Sequence, residues 1–474
     1  MFGLEILKSR LKDAPKTSGV YLFKNKKDIP IYIGKAINIK RRLSNYGNLP
    51  KLPRRLQKMV SQTVNIDFEL TESERNALLL EALLIKKFSP RYNIRLKDDK
   101  SFPLIKITNG AFPRLTRFRN DFSNEDKVFG PFTSALKTDK VIKILQKSFK
   151  LRSCNDSEFK NRTRPCLLYD LKQCSAPCVS KVDENEYKNQ VSDTIKFFQG
   201  SQKKIFNKLE KQMVYFSESQ NYEKAAELRD SIQSLNYIIR EEVKISTQET
   251  NFDYIHIDNK KHFSIYIGFI RYGRYLGGNL IYYSDKFEED IDPTSLIIQF
   301  YLKSFRPKKI IISKKIQGYN ELKSIMKENY KIDVSLKNNN IVGIQKISNL
   351  TAKRNDKEVS LQKQKYVNNQ EILNLLKIKF NIKNNVERVE AYDNSFFGNN
   401  YAVASYVVFN EEGFSIKDSR TYKFKDYDLK KFGDADLMRK VFKSRFSKDD
   451  KILPDIIIID LSLIHISEPT RPSL

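Results

Sequence analysis

The chain has 474 residues, too many for one hydrophobic core, so roughly three or four domains are expected. Lysine and arginine total 86 against 57 aspartates and glutamates, and the resulting net charge of +29 points to a polyanionic partner, nucleic acid first. No apolar stretch reaches the roughly 18 residues that cross a bilayer, and the N-terminus lacks the apolar core of a signal peptide, so a cytoplasmic protein with no membrane partner is expected.

From Ser18 the pattern GVYLF, a polar turn at NKKD and then IPIYIG predicts a half-buried β-hairpin ending at Gly34. Asn38 can cap the helix that follows, whose cationic face holds Lys40, Arg41 and Arg42. Thr71 to Glu74 matches a capping box, and the helix it opens runs through NALLLEALLIKKF to a stop at Ser89-Pro90. Up to about residue 100 this is a compact α/β unit. Next come all four cysteines, Cys154, Cys166, Cys174 and Cys178, spaced by 11, 7 and 3 residues. That grouping excludes a scattered disulfide framework, and it is not a pair of CxxC knuckles, yet four thiolates from one short segment can close around an iron-sulfur cluster or a zinc ion. From about residue 203 to 239 apolar residues recur at helical spacing, interrupted at Gln220-Asn221, which predicts an antiparallel helical hairpin. Beyond Asn251 short β-rich runs (YIHI, FSIYIGFI, KKIIIS, YAVASYVVF, DIIIID) alternate with helical stretches and predict a second α/β domain. No internal repeat is visible.

Phosphodiester hydrolysis needs a base for the attacking water, a cation on the phosphate oxygens, and positive charge or a metal at the leaving oxygen. The first hundred residues offer all three. Glu81 is a lone carboxylate inside ALLLEALLI, where burial without a partner would cost several kcal/mol or so, and a divalent cation would compensate it economically. No histidine lies in the first 250 residues, which disfavours a histidine-based nuclease.

Gly19-Val20-Tyr21 and Tyr32-Ile33-Gly34 on paired strands, followed by Lys35, Arg42 and Tyr46, resemble the GIY-YIG nucleases, with Val20 in place of the usual isoleucine. The resemblance implies that Tyr32 acts as general base, helped by Lys35. Arg42 binds the scissile phosphate, and Glu81 is the sole protein ligand of a Mg²⁺ or Mn²⁺ ion. Tyr21 and Tyr46 orient water and phosphate, and Asn93 supports the site. The longer runs PIYIGKAINIKRRLSNY, LEALLIKKFSPRYNIRLKDDKSFP and FGPFTS are similar to the UvrC family of bacterial excision-repair nucleases. What this implies is a multidomain α/β protein with a GIY-YIG nuclease domain at 1–100 and a linker region with the cysteine cluster at 101–200. A UVR helical hairpin follows at 201–240, then a partial RNase H-like domain at 250–460 and a non-family tail at 461–474.

By the same resemblance, Tyr222, Glu223, Ala225, Ala226, Leu228, Arg229 and Asp230 dock onto UvrB, with Tyr222 and Leu228 as apolar anchors and the alanines allowing close helix approach. Damaged double-stranded DNA is the implied substrate, and UvrA an indirect partner through the pathway. The cysteine cluster is read as iron-sulfur, with zinc as the alternative. Asp393 in VEAYDNSFFG and Asp460 closing DIIIID match the metal carboxylates of the family's second centre, with Asp434 a weaker candidate. After Asp460 the family's glycine-rich continuation is replaced by LSLIHISEPTRPSL, so His465 is not carried over and the 3′ incision is the expected activity. The rival expectations are a catalytically silent UvrB-binding scaffold and a free-standing GIY-YIG endonuclease.

Overall fold

The computed structural model describes residues 2–93, 102–119, 127–132, 134–240, 243–244, 250–259, 263–283, 291–339, 343–396, 401–425, 433–447 and 453–460. The chain divides into two compact units, Met1–Asp356 and Lys357–Leu474.

The first unit opens with α1 (Phe2–Asp13) and the expected hairpin of β1 (Gly19–Lys24) and β2 (Pro30–Ala36). Then come α2 (Ile39–Asn45), α3 (Arg54–Gln62), β3 (Asn65–Leu70) and α4 (Glu74–Phe88). The sheet order is β2-β1-β3, antiparallel throughout. Strand alternation divides its two faces: Tyr21, Phe23 and Tyr32 pack with Leu43, Tyr46 and Met59, whereas Val20, Leu22 and Ile33 pack under Ala77, Leu84 and Ile85 of α4. Asn38 caps α2 as expected, accepting from the Arg41 amide at 3.0 Å. The cap of α4 is Ser73, which accepts from the Asn76 amide at 3.2 Å, and not Thr71. The helix starts one residue after Ser73, so Glu74 occupies its first turn instead of closing a capping box.

Residues 102–240, expected in part as a linker, are folded around a core of their own. It joins a sheet of β4 (Leu104–Ile107), β5 (Leu115–Phe118) and β6 (Lys127–Phe129) to α5 (Ala135–Ser148). The cysteine segment carries the short α6 (Asp156–Lys160) and α7 (Leu167–Asp170) and leads into α8 (Glu184–Phe198). The predicted hairpin is α9 (Gln202–Glu218) and α10 (Tyr222–Arg240), broken where Gln220 takes a φ of +60°. Its base enters the same core through Leu209 and Leu235, beside Leu145 and Phe197.

The stretch 250–460, expected as one domain, holds two sheets. After the short β7 (Val243–Lys244), the first has β8 (Phe252–Asp258), β9 (Phe263–Arg271), β10 (Arg274–Tyr283), β11 (Lys309–Ile312) and β12 (Asp333–Leu336). Helices α11 (Pro293–Lys303) and α12 (Tyr319–Tyr330) pack on it. The 36-residue α13 (Ile344–Lys379) leads to the second, built from β13 (Arg388–Phe396), β14 (Tyr401–Asn410), β15 (Gly413–Lys425), α14 (Asp434–Phe446) and β16 (Ile456–Ile459). The strand orders correspond: β10-β9-β8-β11 in the first and β15-β14-β13-β16 in the second, each with one parallel pair. Even the bond after that pair recurs. Ser313 donates its amide to the Ile255 carbonyl at 2.8 Å, and Asp460 donates its amide to that of Tyr392 at 3.1 Å. By this register His256 and Ser313 stand in the first sheet where Asp393 and Asp460 stand in the second.

Each sheet also buries one acid against arginine. Asp253 meets Arg271 at 2.8 Å and accepts from Tyr301, yet burial still pushes its carboxyl up, against the pull of that single arginine. Burial acts the same way on Glu390, but here Arg445, Tyr392 and Arg388 together hold the carboxyl below the usual range. Removing one partner of such a buried set strands the other charge, at a cost of about 3–5 kcal/mol.

Candidate active site

Tyr21 on β1 lies directly opposite Gly34 on β2, and Phe23 opposite Tyr32. A Cβ at Gly34 would come within 2.3 Å of the Tyr21 hydroxyl, so it is the Tyr21 ring, lying across β2, that requires glycine here. Tyr46, at the end of α2, completes the group. Its hydroxyl lies 2.9 Å from that of Tyr21 and donates to that of Tyr32 at 3.2 Å, and the Arg42 Nε donates to Tyr21 at 3.4 Å. Hydrogen bonds thus link Arg42, Tyr21, Tyr46 and Tyr32 in one line, and the donation from Tyr46 favours negative charge on the Tyr32 oxygen. Tyr21 itself is pushed up by burial, only partly offset by Arg42, and is held as a neutral hydroxyl.

Glu81 sits on α4, 8% exposed, with both carboxylate oxygens engaged. One accepts from the Lys35 amide at 3.0 Å and the other from the Ser295 hydroxyl at 2.9 Å. Burial, and then the neighbouring Asp292, push its carboxyl up to about 7, with Ser295 and Lys35 pulling back. The Lys35 amide it accepts from follows Gly34, the residue opposite Tyr21, so the carboxylate lies at the same stretch of β2 as the tyrosine group. A buried carboxyl so reluctant to ionise is suited to a divalent cation, which would supply the missing charge.

The ammonium of Lys35 lies 3.2 Å from Asp292 and 3.6 Å from Glu74, on the opposite face of β2 from Tyr32. Its positive charge pulls on the Glu81 carboxyl. Asn93 acts on the backbone of β2. Its side-chain amide accepts from the Ile33 N–H at 2.7 Å and donates to the Ile33 carbonyl at 2.6 Å, pinning β2 between Tyr32 and Gly34. Asp292, Ser295 and Glu74 were not foreseen at this site. Asp292-Pro293-Thr294-Ser295 reads in sequence only as a helix start, and the Asp292 side chain does cap α11, accepting from the Thr294 amide.

The other predicted residues are placed as follows. Asp393, within β13, and Asp460, just past the end of β16, are exposed and adjoin in register, and Asp434 opens α14, its carbonyl accepting from Asn394. The tail with His465 lies outside the described residues. On α10, Tyr222 and Glu223 are exposed, Arg229 and Asp230 pair with each other, and Ala225, Ala226 and Leu228 are half-buried. Cys174 is buried and pushed up to about 11 by burial, with the charges of Cys166, Cys154 and Cys178 acting in the same direction. Among the described residues no group of three or more His, Cys, Asp or Glu is arranged to hold a metal ion.

An antiparallel hairpin presenting three linked tyrosines and an arginine, backed by a helix with one buried glutamate, defines a GIY-YIG endonuclease. The family models extend this along the chain. The UvrC-like GIY-YIG domain matches residues 17–94, the UvrC/Cho excinuclease middle domain 102–197, the UvrB/uvrC motif 203–238 and the UvrC RNase H endonuclease domain 377–468. The chain belongs to the UvrC family of DNA endonucleases. It is 38% identical over 435 residues to the UvrABC system protein C of Rickettsia bellii, covering 90% of this chain and 68% of that one. With the protein of the same name from Rickettsia felis it shares 38% over 430 residues, covering 89% and 66%. The chain thus spans about two thirds of the length of these curated relatives. Among solved structures, the GIY-YIG N-terminal endonuclease domain of UvrC from Thermotoga maritima, bound to its catalytic divalent cation magnesium, is 38% identical. It covers 19% of this chain and 96% of that one, with a TM-score of 0.18. No described helix is long and apolar enough to cross a membrane.

Proposed function

We propose that this chain is a nucleotide-excision-repair nuclease, recruited to damaged double-stranded DNA by UvrB, that makes the cut 3′ of the lesion at its N-terminal centre. The observation that carries the reading is the line of hydrogen bonds joining Arg42, Tyr21, Tyr46 and Tyr32, with buried Glu81 held on the Lys35 amide, next along β2 to the Gly34 that faces Tyr21. Tyr32 would take the proton of the attacking water, its oxygen stabilised by the Tyr46 hydroxyl as it gains charge. Arg42 would bind the non-bridging phosphate oxygens, and Tyr21 and Tyr46 would hold the geometry. Glu81 would hold a Mg²⁺ or Mn²⁺ ion, which when bound supplies charge stabilisation at the phosphoryl and leaving oxygens. Asn93 and Lys35 position β2.

For recruitment, the proposed docking residues are Tyr222, Glu223, Ala225, Ala226, Leu228, Arg229 and Asp230 on α10; UvrA enters only through the pathway. Tyr222, 66% exposed, is the apolar anchor most ready for a partner, whereas Leu228 already packs on the hairpin's own core. Asp393 and Asp460 are the proposed second centre, for the 5′ cut. Purified chain with UvrB, a duplex bearing one bulky lesion and Mg²⁺ should give a single nick on the 3′ side. Binding of UvrB without any nick would favour the scaffold reading, and cutting at random positions without UvrB the free-standing nuclease.

The four cysteines are proposed to hold an iron-sulfur cluster, because every cysteine of the chain falls in the one segment from Cys154 to Cys178. An anaerobic preparation should be brown and absorb near roughly 400 nm. A colourless protein carrying one zinc would replace the cluster by zinc.

A further inference from the structure

The nuclease centre does not end with the nuclease domain. α11, from a segment more than 200 positions further along the chain, brings Ser295 against Glu81. Ser295 is 5% exposed and donates to one carboxylate oxygen while itself accepting from the side chain of Gln299 at 3.2 Å, and Gln299 is 8% exposed. With the Lys35 amide on the other oxygen, the Glu81 carboxylate is held from both sides, and each oxygen keeps a lone pair for a cation.

Such a contact could close the site or build it. The surface beneath it decides: Leu78 and Ala82 of α4 are buried in one core with Leu296, Ile297 and Phe300 of α11. An apolar seam of this kind holds its partners together, unlike the polar interfaces across which domains open. We propose that Ser295, oriented by Gln299, is a positioning residue that fixes the Glu81 carboxylate for the divalent cation, so that the nuclease centre takes its outer support from α11. This deepens the proposed function and rests on Glu81 being the cation's ligand.

The test uses the intact chain and Mn²⁺, with binding read by electron paramagnetic resonance and nicking measured separately. Ser295→Ala should weaken Mn²⁺ binding about tenfold, and Ser295→Thr, which keeps the hydroxyl, should restore it. Gln299→Met, which leaves Ser295 in place but undirected, should lose less, about threefold, and serves as the second variant if Ser295→Ala folds poorly. Nicking of duplex DNA should fall in rate with the KM for DNA unchanged. If Glu81→Ala loses Mn²⁺ while Ser295→Ala and Gln299→Met bind as the unaltered chain does, the positioning role is overturned and the ligand assignment stands. Tighter binding and faster nicking by Ser295→Ala would overturn it in favour of a closure. Undiminished Mn²⁺ binding by Glu81→Ala would remove the ligand assignment and the inference together.

Discussion

Glu81→Gln is expected to abolish metal-dependent incision while making the metal-free protein more stable. The two effects share one cause. The folded chain keeps a proton on Glu81 up to about 7, whereas an unfolded glutamate ionises near 4.5. Between those values the unfolded state binds fewer protons than the native state, so stability falls as pH rises through the window and levels off above it. The cost reached above the window is about 3 kcal/mol, which glutamine avoids. The amide fits: its oxygen can accept from the Lys35 N–H, and its nitrogen can donate to the Ser295 oxygen, which keeps a second lone pair beside the one taken by Gln299. Thermal melts in chelator from about pH 4 to pH 8 should therefore show the variant and the unaltered chain converging at the acid end and separating toward neutrality. Added Mg²⁺ should raise the melting temperature of the unaltered chain alone. A pH-independent difference, or residual Mg²⁺-dependent nicking by Glu81→Gln, would contradict the role given to this carboxylate.

Tyr32→Phe is expected to lower the nicking rate by about 10²–10⁴-fold, the range for loss of a general base. The substitution removes one oxygen and leaves the ring, which packs edge-on to Phe23 and Tyr46 at 6.0 Å, so the fold should be preserved. Mn²⁺ affinity should not change, which separates this variant from those at Glu81 and Ser295. Tyr46→Phe removes the donor to Tyr32 and should have a smaller effect, because Tyr32 keeps its hydroxyl and loses only the hydrogen bond that stabilises its charge. Equal losses for both variants would mean that Tyr32 acts by holding Tyr46 in place and not as the base.

What could be read in the sequence was what neighbouring residues decide. The β1-β2 hairpin, the Asn38 cap and the stop of α4 at Ser89, whose φ is +47°, each follow from a few consecutive side chains. The three tyrosines, Arg42 and Glu81 were legible because they come from one segment of fewer than a hundred residues, in a pattern already associated with one chemistry. Asp292 and Ser295 were not. Their local sequence states only that a helix begins, and nothing in it says that the helix will lie against α4. The division of 250–460 into two sheets was equally hidden, because YIHI and DIIIID look alike as strands whether one sheet or two is being built. The register shows the correspondence and its limit: His256 and Ser313 occupy the places held by Asp393 and Asp460, and residue identity alone gave no cue to align them.

The middle of α4 is nearly all apolar because it has two neighbours. Ala77, Leu84 and Ile85 face the nuclease sheet, while Leu78 and Ala82 belong to the core of the β8-β12 sheet. For protein engineering this bears on the first hundred residues as a cassette. A chimera that transplants them alone would uncover Leu78 and Ala82 and leave its central carboxylate without Ser295. A graft meant to work elsewhere should bring α11 along, or redesign Leu78 and Leu79 for water.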